Sequence, residues 1–313
     1  MLNNLTGDGF FQEIVQDEIK DHLRKEVRRV VIFLGGNDLE KRYSRLYNSD
    51  NPQPIIDRIY NNLRDIVAYV KRRNASLQIV LVNVPHIGAT PKIKEEHGTN
   101  PTNVAFTIEG LNTRLAQLAR DQGIGYADVY QITKNMLDGR PFCISGVRFI
   151  DESDNDGDKF HLWLGGTLSA DFHPNTNGQT RVANTILRAF NKSYNAGITP
   201  LGDTEILQNL LNIDPDRSFA DWIACYEPGN LAGPTDDLDG DGRDNMSEFV
   251  FDTDPTRADS PFITSPSSYQ IDYRPRLRSS RTFTLNVKTS TDLLTWATAP
   301  ASELTEQPLG KIR

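Results

Sequence analysis

The fold of this chain is decided by the segment Val30-Val31-Ile32-Phe33-Leu34-Gly35-Gly36-Asn37-Asp38. Its first part is apolar and rich in β-branched residues, as expected of a strand that is buried on both faces. Two glycines end that run, and Asn37 and Asp38 follow directly. Because open α/β folds bind their ligands at the carboxyl ends of the strands, the segment predicts a buried strand that leads polar side chains to a binding edge.

The surrounding sequence alternates between helix and strand patterns over residues 1–198. Apolar residues at helical spacing predict helices at about 10–23, 55–70, 104–119 and 174–194. Strands are predicted at 30–34, 77–82 and 126–129. Alternation at this spacing requires right-handed crossovers, which give a parallel sheet with helices on both of its faces. We therefore predict an α/β domain over 1–198.

The composition excludes several classes of partner. The chain has 313 residues and a net charge of −8, with a pI near 5.2, which argues against nucleic acid and anionic membranes. No apolar run approaches the roughly 20 residues that a transmembrane helix needs. The first residues also lack the basic start and apolar centre of a signal peptide. The length allows a sizeable core with a further part attached to it.

The only cysteines are Cys143 and Cys225. They lie far apart, in segments of different character, so we predict two unpaired thiols. A cysteine-rich metal site is excluded by their number.

The composition changes after the α/β pattern ends. Residues 198–202 have the composition of a linker, and short helices are predicted at 203–212 and 218–226. From Thr282 onward, apolar and polar residues alternate as in a half-exposed strand. We predict a helical connector over residues 199–260 and a small β module over 261–313.

Two motifs resemble the SGNH (GDSL-type) esterase/lipase family. Gly35-x-Asn37-Asp38 resembles the family's third block, and Asp171-Phe172-His173-Pro174 resembles its fifth block. They occur in family order, with the expected α/β units between them. The resemblance implies a three-layer α/β/α fold with flavodoxin-like strand order over residues 1–198. It also implies hydrolysis of a small-molecule or carbohydrate ester by Ser–His catalysis.

The resemblance gives a role to each matching residue. His173 would be the base, Asp171 would orient its ring, and Asn37 would donate its side-chain amide to the oxyanion. A backbone N–H of Gly7 would be the second donor, with Gly9 as the alternative. Asp171 departs from the pattern, because the family places this acid three residues before the histidine and alanine occupies that position here. A backbone carbonyl is the alternative partner for the ring.

The nucleophilic serine of the family has no counterpart in these motifs. The family carries it in a Gly-Asp-Ser block on the first strand, and no serine precedes Gly35 in this chain. We therefore expect the N-terminal strand and the nucleophile to be missing, and the chain as given to be inactive. Ser44 and Ser169 lack the strand-end glycine setting and are not assigned. His86 follows a predicted strand, in a segment that resembles a loop of family relatives, and we expect it to have no chemical role.

Residues 237–248 fit the calcium-loop pattern D-x-D-x-[DN]-G-x5-E completely. Ca²⁺ prefers six to eight oxygen ligands, and Gly242 at the sixth position permits the sharp turn of such loops. The predicted ligands are Asp237, Asp239, Asp241, the Arg243 carbonyl, Asn245 and Glu248. The loop resembles the solitary dockerin-like or EF-hand-like calcium loops of secreted bacterial proteins, and it predicts a structural calcium ion. The alternative is a solvated acidic turn. A second acidic segment, 151–158, lacks the glycine at the sixth position. We predict a surface insertion there, with a metal site as the alternative.

The sequence is compatible with two functions. The first is a secreted ester hydrolase, extracellular or periplasmic, as the resemblance implies. The second is a non-catalytic, calcium-dependent extracellular binding or adhesion protein built on the same α/β domain.

Overall fold

The structure is a computed structural model that describes residues 23, 27–48, 51–98, 102–154, 158–165, 172–258, 288–289, 295 and 297–298. The helix predicted at 10–23 lies almost entirely outside these residues. So do three of the predicted site residues, which are Gly7, Gly9 and Asp171.

Three parallel strands form the first sheet. They are β1 (Arg29–Ile32), β2 (Gln78–Val82) and β3 (Gly125–Ala127), in the order β1-β2-β3. Val30 pairs with Ile79 in the first ladder, and Val80 pairs with Gly125 in the second. The predicted α/β class with a parallel sheet is confirmed. The flavodoxin-like order and the missing first strand stay predictions.

Long helices contact both faces of this sheet. Side chains alternate along a strand, so Ile79 and Leu81 of β2 pack in the apolar cluster formed by α3 (Gln53–Arg73) and α5 (Thr102–Gln122). Val80 and Val82 point the other way and pack with residues of α7 (Thr176–Tyr194). The remaining helices of this region are short: α1 (Gly36–Glu40), α2 (Tyr43–Tyr47), a 3₁₀ turn (Ile87–Ala89), α4 (Pro91–His97) and α6 (Tyr130–Leu137).

A second sheet lies between α6 and α7 in the sequence and was not predicted. Its strands are β4 (Phe142–Ile144), β5 (Val147–Asp154) and β6 (His161–Leu164). β4 and β5 are antiparallel, and the turn between them uses Ser145 and Gly146 with φ angles of 49° and 79°, as two-residue hairpin turns require. β5 pairs with β6 in parallel. The predicted surface insertion at 151–158 is wrong in its first half, because Asp151–Asp154 belong to β5.

The connector consists of short helices that pack on the second sheet. They are α8 (Asp203–Glu205), a π-helical turn (Ile206–Leu210), α9 (Phe219–Ala224) and α10 (Asn245–Phe251). Ile206 and Leu207 share one buried cluster with Phe149 and Trp163 of the second sheet. The predicted boundary near residue 198 stays a prediction, but apolar contacts cross it. Further along, β7 (Lys288–Thr289) and β8 (Ala297–Thr298) form an antiparallel pair.

Cys143 and Cys225 form a disulfide, with their Cα atoms 6.3 Å apart. The prediction of two unpaired thiols is therefore wrong. The two residues are separated by 82 positions, but β4 and the end of α9 meet in one cluster around Trp222 and Phe249. This proximity depends on the tertiary packing and leaves no trace in the local sequence. The bond ties the second sheet to the connector.

Candidate active site and calcium loop

Asn37 is presented by a tight turn after β1. Gly35 has φ 111°, and a Cβ at this position would lie 3.1 Å from Val84 Cγ2 and 3.2 Å from Ile59 Cγ2. Glycine is therefore required both by the backbone conformation and by the packing. The turn starts α1, and it leaves Asn37 exposed while Asp38 is buried.

His173 is also exposed, but its carbonyl and the backbone that follows it are hydrogen-bonded to β6. The carbonyl of His173 accepts a hydrogen bond from Leu164 N at 3.0 Å, and Asn175 N donates to Leu162 O at 2.7 Å. The Asn175 side chain then caps α7 by accepting from Thr176 N at 2.8 Å. Residues 172–175, which we call the His173 segment, are thus fixed between a strand and a helix.

Residues close in sequence to the two predicted catalytic residues share one apolar cluster. Phe172, beside His173, packs against the cluster that also contains Leu39 of α1. In the described part of the chain no hydrogen bond joins Asn37 to His173. Their catalytic roles stay predictions.

Asn177 ties the start of α7 to the chain at the beginning of β6, and the sequence did not indicate this role. It is fully buried, and its Nδ2 donates to Lys159 O at 3.1 Å and to His161 O at 2.8 Å. The neighbouring Gly178 allows close packing, because a Cβ there would lie 2.8 Å from Pro174 Cβ. Asn177 and Arg181 are polar residues four positions apart on one side of an amphipathic helix. Such residues are expected on the exposed face, so the sequence does not predict their burial.

The same segment is connected through Trp163 to the ion pair of Asp151 and Lys94. Trp163, which forms an isolated β-bridge with Pro174, donates from Nε1 to Asp151 Oδ1 at 2.6 Å. The other carboxylate oxygen of Asp151 accepts from Lys94 Nζ at 2.5 Å. Asp151 therefore links the second sheet to α4.

His86 follows β2, directly before the 3₁₀ turn, and is fully buried. Both ring nitrogens lack a hydrogen-bond partner among the described residues. Burial lowers the pKa of His86 to about 4, so the imidazole is neutral at ordinary pH. The expectation that His86 takes no part in the chemistry stays a prediction.

The predicted calcium loop brings its acidic residues together. Asp237, Asp239 and Asp241 each offer a carboxylate oxygen, and these oxygens all lie within 4.8 Å of one another. Gly240 N and Gly242 N donate to the two carboxylate oxygens of Asp237 at 2.7 and 2.8 Å. The loop backbone is therefore folded around the first ligand of the pattern.

Glu248 of α10 lies close enough to Asp239 and Asp241 to feel their charge. It is fully buried, and its Oε2 has no hydrogen-bond partner in the described part of the chain, nor has Oδ2 of Asp239. Burial, with the charge of Asp239 beside it, raises the pKa of Glu248 to about 8. Such uncompensated carboxylates are destabilising, and a divalent cation would neutralise them.

The two other predicted ligands differ in their contacts. Asn245 is buried, and its Nδ2 donates to the carbonyls of Leu231 and Gly233 at 2.9 Å each, while its Oδ1 has no described partner. The Arg243 side chain donates from Nε to Asp241 Oδ2 at 3.0 Å. The Arg243 guanidinium therefore offsets part of the negative charge, and its carbonyl stays the predicted ligand.

Comparison with known proteins adds one finding. The model of the GDSL-like lipase/acylhydrolase family matches residues 4–181, which is more than half of the chain and includes Asn37 and His173. No curated protein and no solved structure was found to match. Within the described residues, no helix has the length and apolar character needed to cross a membrane.

Proposed function

The chain belongs to the GDSL-like lipase/acylhydrolase family, and from this premise we propose that the protein is a secreted ester hydrolase acting by Ser–His catalysis. Hydrolases of this family act on small-molecule esters, and we propose short acyl or acetyl esters, including those of carbohydrates. His173 takes the proton of the nucleophilic serine, and Asn37 donates its amide to the oxyanion. The nucleophile is the serine of the family's Gly-Asp-Ser block; no serine of this chain is assigned that role.

The observation that supports this proposal best is the way His173 is held. Its side chain is exposed, while its own carbonyl and the N–H of Asn175 are hydrogen-bonded to β6. A general base needs this combination, because its nitrogen must reach the substrate in one orientation. Asp171 as the orienting acid and Gly7 as the second oxyanion donor are proposed from the family pattern alone.

Hydrolysis of p-nitrophenyl acetate tests the proposal, with this chain and with any longer product that its gene encodes. In the active form we expect His173→Ala to lower kcat/KM by about 10²–10⁴-fold and Asn37→Ala by about 10²–10³-fold. Asn48→Ala is the matched control, because Asn48 is also an exposed asparagine at a short helix, and it should keep full activity.

The same assay separates the possible outcomes. This chain alone should be no faster than its His173→Ala variant, and His173-dependent turnover would mean that one of its own serines is the nucleophile. An active gene product in which both site variants keep the wild-type rate would reject the assignment of His173 and Asn37.

We also propose that residues 237–248 bind a structural calcium ion. The support is the buried, unpartnered oxygen of Glu248 next to the Asp237–Asp239–Asp241 cluster. The proposed ligands are Asp237, Asp239, Asp241, the Arg243 carbonyl, Asn245 and Glu248. Loops of extracellular modules bind calcium with Kd on the order of 10⁻⁴–10⁻³ M. The ion therefore stabilises the fold where calcium is millimolar.

Thermal unfolding of the full chain with calcium and with EDTA tests this site. At ten times Kd, binding should stabilise the native state by about 1.4 kcal/mol and raise Tm by roughly 2–4 °C. Glu248→Gln should abolish most of that rise, whereas Glu152→Gln, a change at an exposed glutamate outside the loop, should preserve it. Identical transitions with calcium and with EDTA would show that the loop is only an acidic turn.

The disulfide supports the secreted location that we propose. Disulfides persist mainly in oxidising compartments outside the cytosol, and weak calcium loops are saturated only where calcium is plentiful. Both features suit an extracellular or periplasmic enzyme. The non-catalytic binding protein is not favoured by any contact described above.

A further inference from the structure

The helix that holds Glu248 ends on a residue that is bonded to two other parts of the chain. Asp252 is the C-cap of α10 and is buried. Its Oδ1 accepts from Ser145 Oγ at 3.1 Å. Its Oδ2 accepts from the backbone N and the hydroxyl of Thr204 at 2.6 and 2.9 Å. Asp252 therefore joins the calcium helix to the second sheet and to α8.

The contact with Ser145 leads to the His173 segment through the second sheet. Ser145 and Gly146 form the turn between β4 and β5, and this turn is packed tightly on α9, since a Cβ at Gly146 would lie 2.7 Å from Trp222 Cα. β5 pairs with β6, and β6 holds the His173 segment by backbone hydrogen bonds. Each step is a direct contact.

A second route reaches the helix on the other side of His173. Arg181 of α7 is buried, and its guanidinium donates to Asp203 at 3.0 and 2.8 Å and to Cys143 O at 2.7 Å. Asp254, two residues after Asp252, forms a further ion pair with Arg181 at 3.3 Å. Loss of one partner of a buried ion pair is strongly destabilising. The start of α7 therefore depends on the end of the calcium helix.

Calcium should control the order of this helix end. α10 has only seven residues, and so short a helix is not stable without tertiary support. With no cation, the Glu248 side chain is buried with its Oε2 unpartnered among the described residues. Asp252 follows Glu248 by about one helical turn, so disorder of the helix at Glu248 also disturbs Asp252.

We infer that Asp252 is a positioning residue through which calcium binding orders the His173 segment. The inference rests on the calcium site proposed above, and it goes further because it places the effect of the ion on the candidate active site. It requires no change of fold. Calcium reduces the frequency with which the end of α10, the second sheet and the start of α7 open.

Hydrogen exchange of the full chain, with calcium and with EGTA, tests the inference without any activity measurement. At ten times Kd, we expect amides of residues 172–181 to exchange up to about tenfold more slowly, together with those of 236–251. Asp252→Ala should keep the calcium effect at 236–251 and lose it at 172–181. Asp252→Asn should restore it, because an amide can accept from Thr204 N and donate to Ser145 Oγ, and asparagine tolerates the φ of 57° at this position.

Calorimetric titration with CaCl₂ distinguishes the two possible failures. Binding heat with protection confined to 236–251 would overturn the inference and leave the calcium site intact, whereas absence of binding would overturn both. If Asp252→Ala does not fold, Ser145→Gly takes its place. It removes the hydroxyl and suits the φ of 49° at this position, and it should weaken the calcium effect at 172–181. An unchanged effect in the folded variant would reject the route from Asp252 through Ser145.

Discussion

At the scale of single residues, His86 is the clearest case of a titratable group forced into one state. It is fully buried, and its ring nitrogens have no described partner. The ring lies 5.8 Å from that of Tyr130, and burial lowers the pKa of His86 to about 4. The folded protein therefore contains His86 in its neutral form at ordinary pH.

Protonation of His86 should destabilise the protein in mild acid. The unfolded chain binds this proton with a pKa near 6.5 and the folded chain only near 4. The contribution is therefore complete above pH 6.5 and is lost as the pH falls to 4. The pKa difference corresponds to about 3 kcal/mol. Urea unfolding in EDTA at pH 7 and at pH 4.5 should show a smaller loss for His86→Leu than for the wild type. Equal losses would show that His86 is not responsible.

Residues of the candidate site differ in how well the sequence predicts them. Asn37 and His173 belong to short motifs, and a motif is visible in the sequence without knowledge of the fold. Asn177 and Asp252 act through partners far away in the chain, such as His161 O and Ser145 Oγ. Their roles exist only once the tertiary structure has formed, so no local pattern could have indicated them.

At the scale of elements, the length of a helix determines whether its sequence pattern can predict it. The helices expected at 55–70, 104–119 and 174–194 are present as Gln53–Arg73, Thr102–Gln122 and Thr176–Tyr194, because several turns of apolar spacing leave a strong signal. Gly36–Glu40 and Tyr43–Tyr47 have five residues each. A helix of that length shows too little periodicity to be found.

The second sheet was missed for a different reason. Its longest strand, β5, carries Asp151, Glu152 and Asp154 near its end, so this part has the composition of an exposed loop. In the structure, Asp151 is instead neutralised by Lys94 and bonded to Trp163. Partners supplied by other elements turn an acidic stretch into a strand, and composition alone cannot show this.

At the scale of the whole molecule, the connector and the family region are held together covalently as well as by packing. The disulfide joins Cys143 to Cys225, and Trp222 and Phe249 pack around it. The proposed calcium site therefore lies on a part of the chain that shares a core with the second sheet.

Removal of this bond should lower the stability of the entire fold. It closes a long loop, with a sequence separation of 82 residues, and loss of a native disulfide of this kind costs about 2–5 kcal/mol. The double variant Cys143→Ala, Cys225→Ala should therefore unfold at a lower urea concentration than the oxidised protein. Dithiothreitol should shift the midpoint of the wild type and leave that of the double variant unchanged. Coinciding midpoints for the oxidised protein and the variant would show that the bond is energetically unimportant.

The ion pairs of Arg181 also set an order of events during translation. Asp203 follows Arg181 by 22 residues, and at 5–20 residues per second the ribosome needs roughly 1–4 s to supply it. Asp254 arrives later still. Until then the guanidinium must stay hydrated, because its burial without counter-ions would be strongly unfavourable. We therefore expect α7 to dock late, so that the nascent His173 segment reaches its final place only after residues well beyond the family match have left the exit tunnel.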